Sequence, residues 1–283
     1  MIEFIIIAII QGVLEWLPIS SSGQVMIVSI NVFGISPANA YSLAIWLHLG
    51  TSLSVLLKFR TDFIEMVKSI FSQSSEINDL PIIKRNWLII ATIGTAVTGI
   101  PIYLLFKLFL EDFYAAVHGD IITLIISSFL ILTGIILLLR RKVSGKKEIV
   151  ELNKKSVRKD SFIAGMAQGF TVLPGISRSG ITISTVLMEQ YTQENALTLS
   201  FLISVPAAFG SIFVDLIFGQ WSILGTLDLL TIIVVTLISF IVGYATIDFF
   251  LKLARKIEFG YFCIAYGIIS YLIIIPFLFL THI

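Results

Sequence analysis

Gln11-Gly12-Val13-Leu14-Glu15-Trp16-Leu17-Pro18-Ile19-Ser20-Ser21-Ser22-Gly23 is echoed by Gln168-Gly169-Phe170-Thr171-Val172-Leu173-Pro174-Gly175-Ile176-Ser177-Arg178-Ser179-Gly180. In each, a Gln-Gly pair opens an apolar half-helix, a proline breaks it, and a hydroxyl-rich turn ending in glycine follows. The surroundings are almost wholly apolar. Lipid offers backbone groups no partner, so polar turns at bilayer depth must be buried in protein or line a cavity. The echo therefore reads as one pocket built twice.

Composition fixes the class. With 57% hydrophobic and 13% charged residues among 283, and a mean hydropathy of +1.00, the chain has too little charge for a soluble domain and reads as an all-α polytopic membrane protein. Met1-Ile2-Glu3-Phe4 has no basic leader region, so the first apolar stretch is expected to stay in the mature protein. Cys263 is the only cysteine and reads as a small buried apolar residue.

Six apolar stretches, at 39–57, 87–107, 120–139, 196–218, 228–250 and 260–281, are long enough for a core of about 30 Å. Residues 2–17 and 24–33 flank the first polar turn, and 161–173 and 181–190 flank the second. Each of these is too short to span and reads as a half-helix.

Basic residues orient the spans. Arg140, Arg141, Lys142, Lys146, Lys147, Lys154, Lys155, Arg158 and Lys159 place the segment 140–160 in the cytoplasm. Lys58, Arg60, Lys68, Lys84 and Arg85 mark a second cytoplasmic loop, and Lys252, Arg255 and Lys256 a third; the connections near 108–119 and 219–227 are basic-poor and fall outside. Threading the spans through these anchors makes 1–38 begin and end outside and 161–195 begin and end inside. The expected architecture is thus a single membrane domain over 1–283. It is an inverted-topology repeat of two re-entrant helical hairpins and six full transmembrane helices, with halves 1–139 and 161–281, a basic linker 140–160 and both termini outside. Such repeats recur in transporters, with sites at the repeat interface.

The hairpins carry the chemistry. Gln11 and Glu15 are four apart and share a helix face. Intramembrane ionisable residues mark functional sites, and Glu15 and Arg178 sit in matched turns with opposite sign. Ser20, Ser21, Ser22, Ser177 and Ser179, with the backbone amides of Gly23 and Gly180 at half-helix N-termini, offer more donors than one carboxylate uses. A mono- or diphosphate would use them, with Arg178 as bidentate donor. Glu15 then reads as a proton acceptor or, with the Gln11 amide, as part of a divalent-cation shell, and a neighbouring serine as a nucleophile. Direct attack by water is the simpler rival.

These motifs, Gln-x-x-x-Glu with Leu-Pro-Ile-Ser-Ser-Ser-Gly at 11–23 and Pro-Gly-Ile-Ser-Arg-Ser-Gly at 174–180, resemble the paired signatures of the undecaprenyl-diphosphatase (bacitracin-resistance) family. The resemblance extends to Leu47-His48-Leu49-Gly50-Thr51 and to Leu199 through Pro206. It implies a plasma-membrane phosphatase that removes the terminal phosphate of a polyprenyl diphosphate to regenerate the lipid carrier of cell-wall synthesis, with a divalent cation, magnesium or calcium. Carried over by position, Glu15 matches the acid for metal or proton transfer, with Gln11 beside it. Ser21 matches the proposed nucleophile, and Arg178 the arginine on the diphosphate, with Ser177, Ser179 and Thr182 in its turn. Nucleic acid is not an expected partner, and a homodimer stays open. One position departs: where the family usually has histidine, this chain has Gln24, which accepts no proton at useful pH. Glu15 would then serve as base, or His48 would replace the imidazole if its span packs beside the first turn. Otherwise the chain would bind or translocate polyprenyl phosphates without cleaving them.

Other residues receive plainer readings. Asp215 and Asp248 are expected to be water-exposed at span ends; Trp16, Trp46, Trp87 and Trp221 to anchor at the membrane interface; Pro101, Pro206 and Pro276 to kink helices. The Phe-rich stretch 201–218 faces a prenyl tail or lipid.

Overall fold

The structure is a computed structural model that describes residues 1–71, 80–114, 119–140, 145–152, 154–218, 227–254 and 259–281. Eleven α-helices and no strand are formed among the described residues. They are α1 (Ile2–Leu14), α2 (Ser21–Asn31), α3 (Pro37–Lys58), α4 (Arg60–Phe71), α5 (Leu80–Tyr114), α6 (Gly119–Arg140), α7 (Lys154–Gly169), α8 (Arg178–Met188), α9 (Gln193–Phe218), α10 (Leu229–Ala254) and α11 (Phe259–Thr281). The all-α expectation holds, because a helix satisfies its own backbone in an apolar medium.

Five described helices are long and apolar enough to cross a membrane, namely those over Pro37–Lys58, Leu80–Leu108, Asp120–Leu139, Gln193–Phe218 and Leu229–Phe250. The described apolar part of α11, Gly260–Pro276, is shorter. Ile89, Ile93, Val97 and Ile100 on α5 are exposed at helical spacing, the pattern of a lipid-facing stripe. α3 starts as its sequence dictates, with Ser36 capping the amide of Asn39 and Pro37 in the first turn. α4 was not anticipated.

The two polar turns interrupt helices as expected. α1 stops before Pro18, and α2 restarts at Ser21. α7 stops at Gly169, passes through a 3-10 turn at Phe170–Val172, and α8 restarts after Pro174. The α1–α2 and α7–α8 hairpins are exchanged in their packing. α1 lies across α10, where a Cβ on Gly12 would meet Val242 Cβ at 2.9 Å and Thr246 donates to the Gly12 carbonyl at 3.1 Å. α7 lies across α5 more closely still: a Cβ on Gly165 would stand 2.0 Å from the Ala91 carbonyl oxygen. Thr95 and Thr98 of α5 donate to the carbonyls of Gly165 and Met166 at 3.1 and 2.8 Å. Small residues and hydroxyls at helix interfaces are the means by which helices associate where burial from water supplies no driving force.

Several expectations are corrected. Trp16 and Trp87 are buried, at 1% and 0% exposure, rather than interfacial. Trp16 donates to the Gly243 carbonyl of α10 at 3.1 Å, so it fills a helix contact. Trp46 is partly buried and donates to Thr236 at 2.9 Å, tying α3 to α10. Trp221 lies outside the described residues, as do Arg141, Lys142, Arg255 and Lys256. Asp215 is buried, because Ser42 of α3 and Tyr103 of α5 each donate to its carboxylate at 2.6 Å. Asp248 is exposed and pairs with Lys58 at 2.6 Å, as a water-facing carboxylate should. Pro101, Pro206 and Pro276 all lie inside continuous helices. The boundary at 161 falls within α7, which begins seven residues earlier in the basic segment. The described part of the linker docks on the turn after α8: the Lys147 amide donates to the Gln190 carbonyl at 2.9 Å and the Thr192 amide to the Lys147 carbonyl at 3.1 Å.

Candidate active site

The first hairpin ends α1 on Glu15, whose amide still donates to the Gln11 carbonyl at 3.0 Å, so Gln11 and Glu15 share one face as their spacing requires. The chain then turns at Ser20, a non-glycine residue in the left-handed region (φ 58°). Such a conformation costs on the order of 1 kcal/mol or more. The Ser20 hydroxyl offsets it by accepting from two amides, Gly23 of its own helix at 3.3 Å and Gly175 of the other hairpin at 3.0 Å. Ser177 caps α8 in the matching way, accepting from Gly180 at 3.1 Å. The amides of Gly23 and Gly180, expected to bind an anion, are therefore held by serine caps.

The two turns touch directly. Gly175 (φ +100°) leaves no room for a Cβ, which would meet the Ile126 carbonyl of α6 at 2.4 Å, and a Cβ on Gly23 would meet the Gly175 amide at 2.9 Å. Thr133 of α6 pins the second turn from behind, donating to the Gly175 carbonyl at 3.1 Å and accepting from the Ser177 amide at 3.2 Å.

This contact brings Glu15 and Arg178 together. Arg178 Nη2 donates to Glu15 Oε1, while Glu15 Oε2 accepts from Gln11 Nε2 at 2.6 Å and from the Ser21 hydroxyl at 2.7 Å. His48 Nε2 of α3 lies 3.4 Å from the same oxygen. Both members of the ion pair are largely buried, with side-chain exposures of 3% and 15%. A buried pair of this kind adds little net stability, but removing one partner strands the other charge at a cost of about 3–5 kcal/mol.

Glu15, Ser20, Ser21, Ser22, Ser177, Arg178 and Ser179 line a cavity of ≈ 90 Å³ between the hairpins. The remaining predicted residues stand behind its wall. Gln11 is buried against Glu15, and Gly180 is held by its cap. Thr182 donates to the Arg178 carbonyl at 2.7 Å and meets Ser200. Gln24 is buried with its amide turned back to the Ile19 carbonyl at 3.4 Å, away from the cavity. Besides His48, which the sequence offered as a replacement imidazole, the cavity is lined by residues that the sequence did not assign to the site, among them Tyr41, Tyr103, Thr95 and Gln168. Gln168 had a signal, since it opens the second motif; the others are ordinary residues of apolar spans. Tyr41 donates to the Val172 carbonyl at 3.2 Å, and Tyr103 carries the buried Asp215.

Residues 4–271 match the family described as bacitracin resistance protein BacA. The chain belongs to this family. A BacA-family relative from Methanothrix thermoacetophila, named undecaprenyl-diphosphatase, is 39% identical over 273 residues, covering 95% of each chain. Relatives of the same name from Methanococcoides burtonii and Methanopyrus kandleri are 38% and 36% identical, covering 95% of this chain and 97% and 94% of their own.

The donor set of this BacA-family site can be tested for the divalent cation that the resemblance implies. Among the described residues no three histidine, cysteine, aspartate or glutamate side chains come together, so a protein-only cage is not formed. What is present fits a cation shared with substrate phosphate: the Glu15 carboxylate, and a fully buried Gln11 Oε1 that has no hydrogen-bond partner.

Proposed function

We propose that this chain is a membrane phosphatase that hydrolyses undecaprenyl diphosphate to the monophosphate lipid carrier and inorganic phosphate. The observation that carries this reading is one carboxylate, Glu15, in contact with both a serine hydroxyl and an arginine inside one cavity. The shared name of relatives matched over nearly the whole chain supports it.

In this reading Arg178 is held ready by Glu15 and turns to the diphosphate, whose oxygens suit its bidentate fork. The Ser21 oxygen attacks the terminal phosphorus, and its proton passes to Glu15 Oε2. The bridging P–O bond breaks and polyprenyl monophosphate leaves. Water then attacks the phosphoserine, giving inorganic phosphate and restoring the Ser21 hydroxyl. A bound divalent cation, magnesium or calcium, would be held by Glu15 with the Gln11 carbonyl oxygen and would neutralise phosphate charge.

The membrane arrangement belongs to the same proposal. α1, α2, α7 and α8 are 13, 11, 16 and 11 residues long, each short of a span, and so act as two re-entrant hairpins entering from opposite faces. With α11 as the sixth span, both termini lie outside the plasma membrane. The exchanged packing of α1 on α10 and α7 on α5 supports an inverted repeat. The partner is the lipid substrate; nucleic acid has no role, and a homodimer would add nothing the chemistry needs.

The test is phosphate release from a C55 polyprenyl diphosphate by detergent-purified protein with magnesium or calcium, beside Glu15→Ala and Arg178→Ala. Release by the parent and loss in both variants is expected. Lipid movement across vesicles without any release would make the chain a carrier instead.

A further inference from the structure

Gln168 carries a polar group of the cavity wall that the proposed chemistry does not use. It lies in the last turn of α7, is 1% exposed and lines the cavity together with Thr95 of α5. Its neighbours fix which way the amide faces. The Thr95 hydroxyl gives its one proton to the carbonyls of Ala91 and Gly165, at 2.9 and 3.1 Å, so toward Gln168 it only accepts. The Ile203 carbonyl of α9 also only accepts. Gln168 Nε2 donates to both, at 3.0 and 3.4 Å, one for each of its protons. A flipped amide would set an oxygen against two acceptors. Gln168 Oε1 is thereby held in place by three helices, buried, and no described residue offers it a donor.

A buried acceptor keeps its full desolvation penalty until a donor reaches it. The substrate's phosphates do not supply one, since their ionised oxygens accept. The proposed cation belongs to Glu15 and Gln11, and Gln168 has no carboxylate among its hydrogen-bond partners with which to share an ion. The two-step reaction does call for a donor here. Glu15 and Arg178 serve the attack of Ser21, but nothing assigned so far orients the water of the second step. We infer that Gln168 Oε1 accepts a hydrogen bond from that water and so positions it for attack on the phosphoserine. The water oxygen bonds to phosphorus as the bond from phosphorus to the Ser21 oxygen breaks. One water proton goes to that oxygen by way of Glu15, and the other stays on the product phosphate. Gln168 takes no proton. The two echoed glutamines then divide the work, Gln11 turning its NH₂ to the carboxylate and Gln168 its carbonyl to the water.

The inference rests on the phosphatase reading, and single-turnover kinetics tests the two apart. Detergent-purified full chain is mixed with a C55 polyprenyl diphosphate radiolabelled in its terminal phosphate, quenched in acid, and assayed for lipid monophosphate, labelled protein and free phosphate. Gln168→Met keeps the length of the side chain and removes the acceptor. It should form lipid monophosphate at the parent rate in the first turnover but release phosphate ~10²-fold more slowly, the cost of a misplaced reacting group, with label trapped on Ser21. Thr95→Val leaves Gln168 in place but frees its amide of one anchor, and should trap label in the same direction to a smaller extent. Parent rates for both steps in Gln168→Met, or slowed release without trapped label in both variants, would overturn the inference. So would first turnover and release that fall together in both variants, the mark of a merely structural role. Phosphate release by the parent with any of these results defeats this inference alone. A parent that cleaves no diphosphate defeats the phosphatase reading, and this inference with it.

Discussion

At the scale of the residue, Glu15 is the point on which the site turns. Glu15→Gln keeps the side-chain volume while removing the proton acceptor, and phosphate release should fall by roughly 10²–10⁴-fold, the range of general-base contributions. Arg178→Ala should cost stability as well as activity. It leaves the buried Glu15 without its counter-charge, a penalty of about 3–5 kcal/mol read as a lower melting temperature in detergent. Gln24→His should fail to restore an imidazole to the cavity, since position 24 is turned to the Ile19 carbonyl, and the rate should change little. The convergence of Glu15, Ser21 and Arg178 was legible in the sequence because polar residues in two matched, proline-broken segments have few places to go in lipid. Tyr41 and Tyr103 were not legible, because a tyrosine in an apolar span reads alike whether it faces a cavity, a neighbouring helix or the bilayer. Asp215 and Trp87 were misread for a related reason: position along a span does not reveal which face meets another helix.

At the scale of the element, the hairpins depend on close helix approach. Gly165→Ala would set a methyl 2.0 Å from the Ala91 carbonyl oxygen, with backbone on both sides and no flexible side chain to yield. α5 and α7 must part, and a loss of at least ~1–3 kcal/mol is expected from thermal melts, with activity falling as the second turn shifts. The break in each hairpin was readable from its proline, but the Gln-Gly pair expected to open a half-helix instead falls in the last turn of α1 and of α7. The depth of the α5–α7 contact was not readable, because the partner of a glycine on another helix leaves no mark near it in sequence. Beyond the end of α8, burial and then the like charge of Asp160 raise the Glu189 carboxyl above its usual 4.5, against the pull of Lys159 and Lys147. Because the folded state disfavours ionisation, this group weakens the fold progressively as pH rises from 4.5 through the raised value. Glu189→Gln should therefore raise the melting temperature at pH 7 and leave it unchanged at pH 4, a comparison that isolates this one carboxylate.

At the scale of the molecule, topology can be read with a single reagent. The one cysteine, Cys263, is buried against the Pro18 carbonyl, so the parent should be silent to a membrane-impermeant maleimide. Val32→Cys, at the exposed end of α2, should label on intact cells, and Lys155→Cys only after the membrane is opened. Equal labelling of both from one side would remove the inverted arrangement. The packing of α1 on α10 also sets an order in time. A ribosome adds roughly 5–20 residues per second, so the ~200 residues between these helices take about 10–40 s to make. Throughout that interval the first polar turn, with its carboxylate and serines, waits in or beside the bilayer without the helix that completes it. The first hairpin is thus made long before the helix against which it is seated, and whatever shields it during the delay is as necessary to the finished protein as any residue of the site.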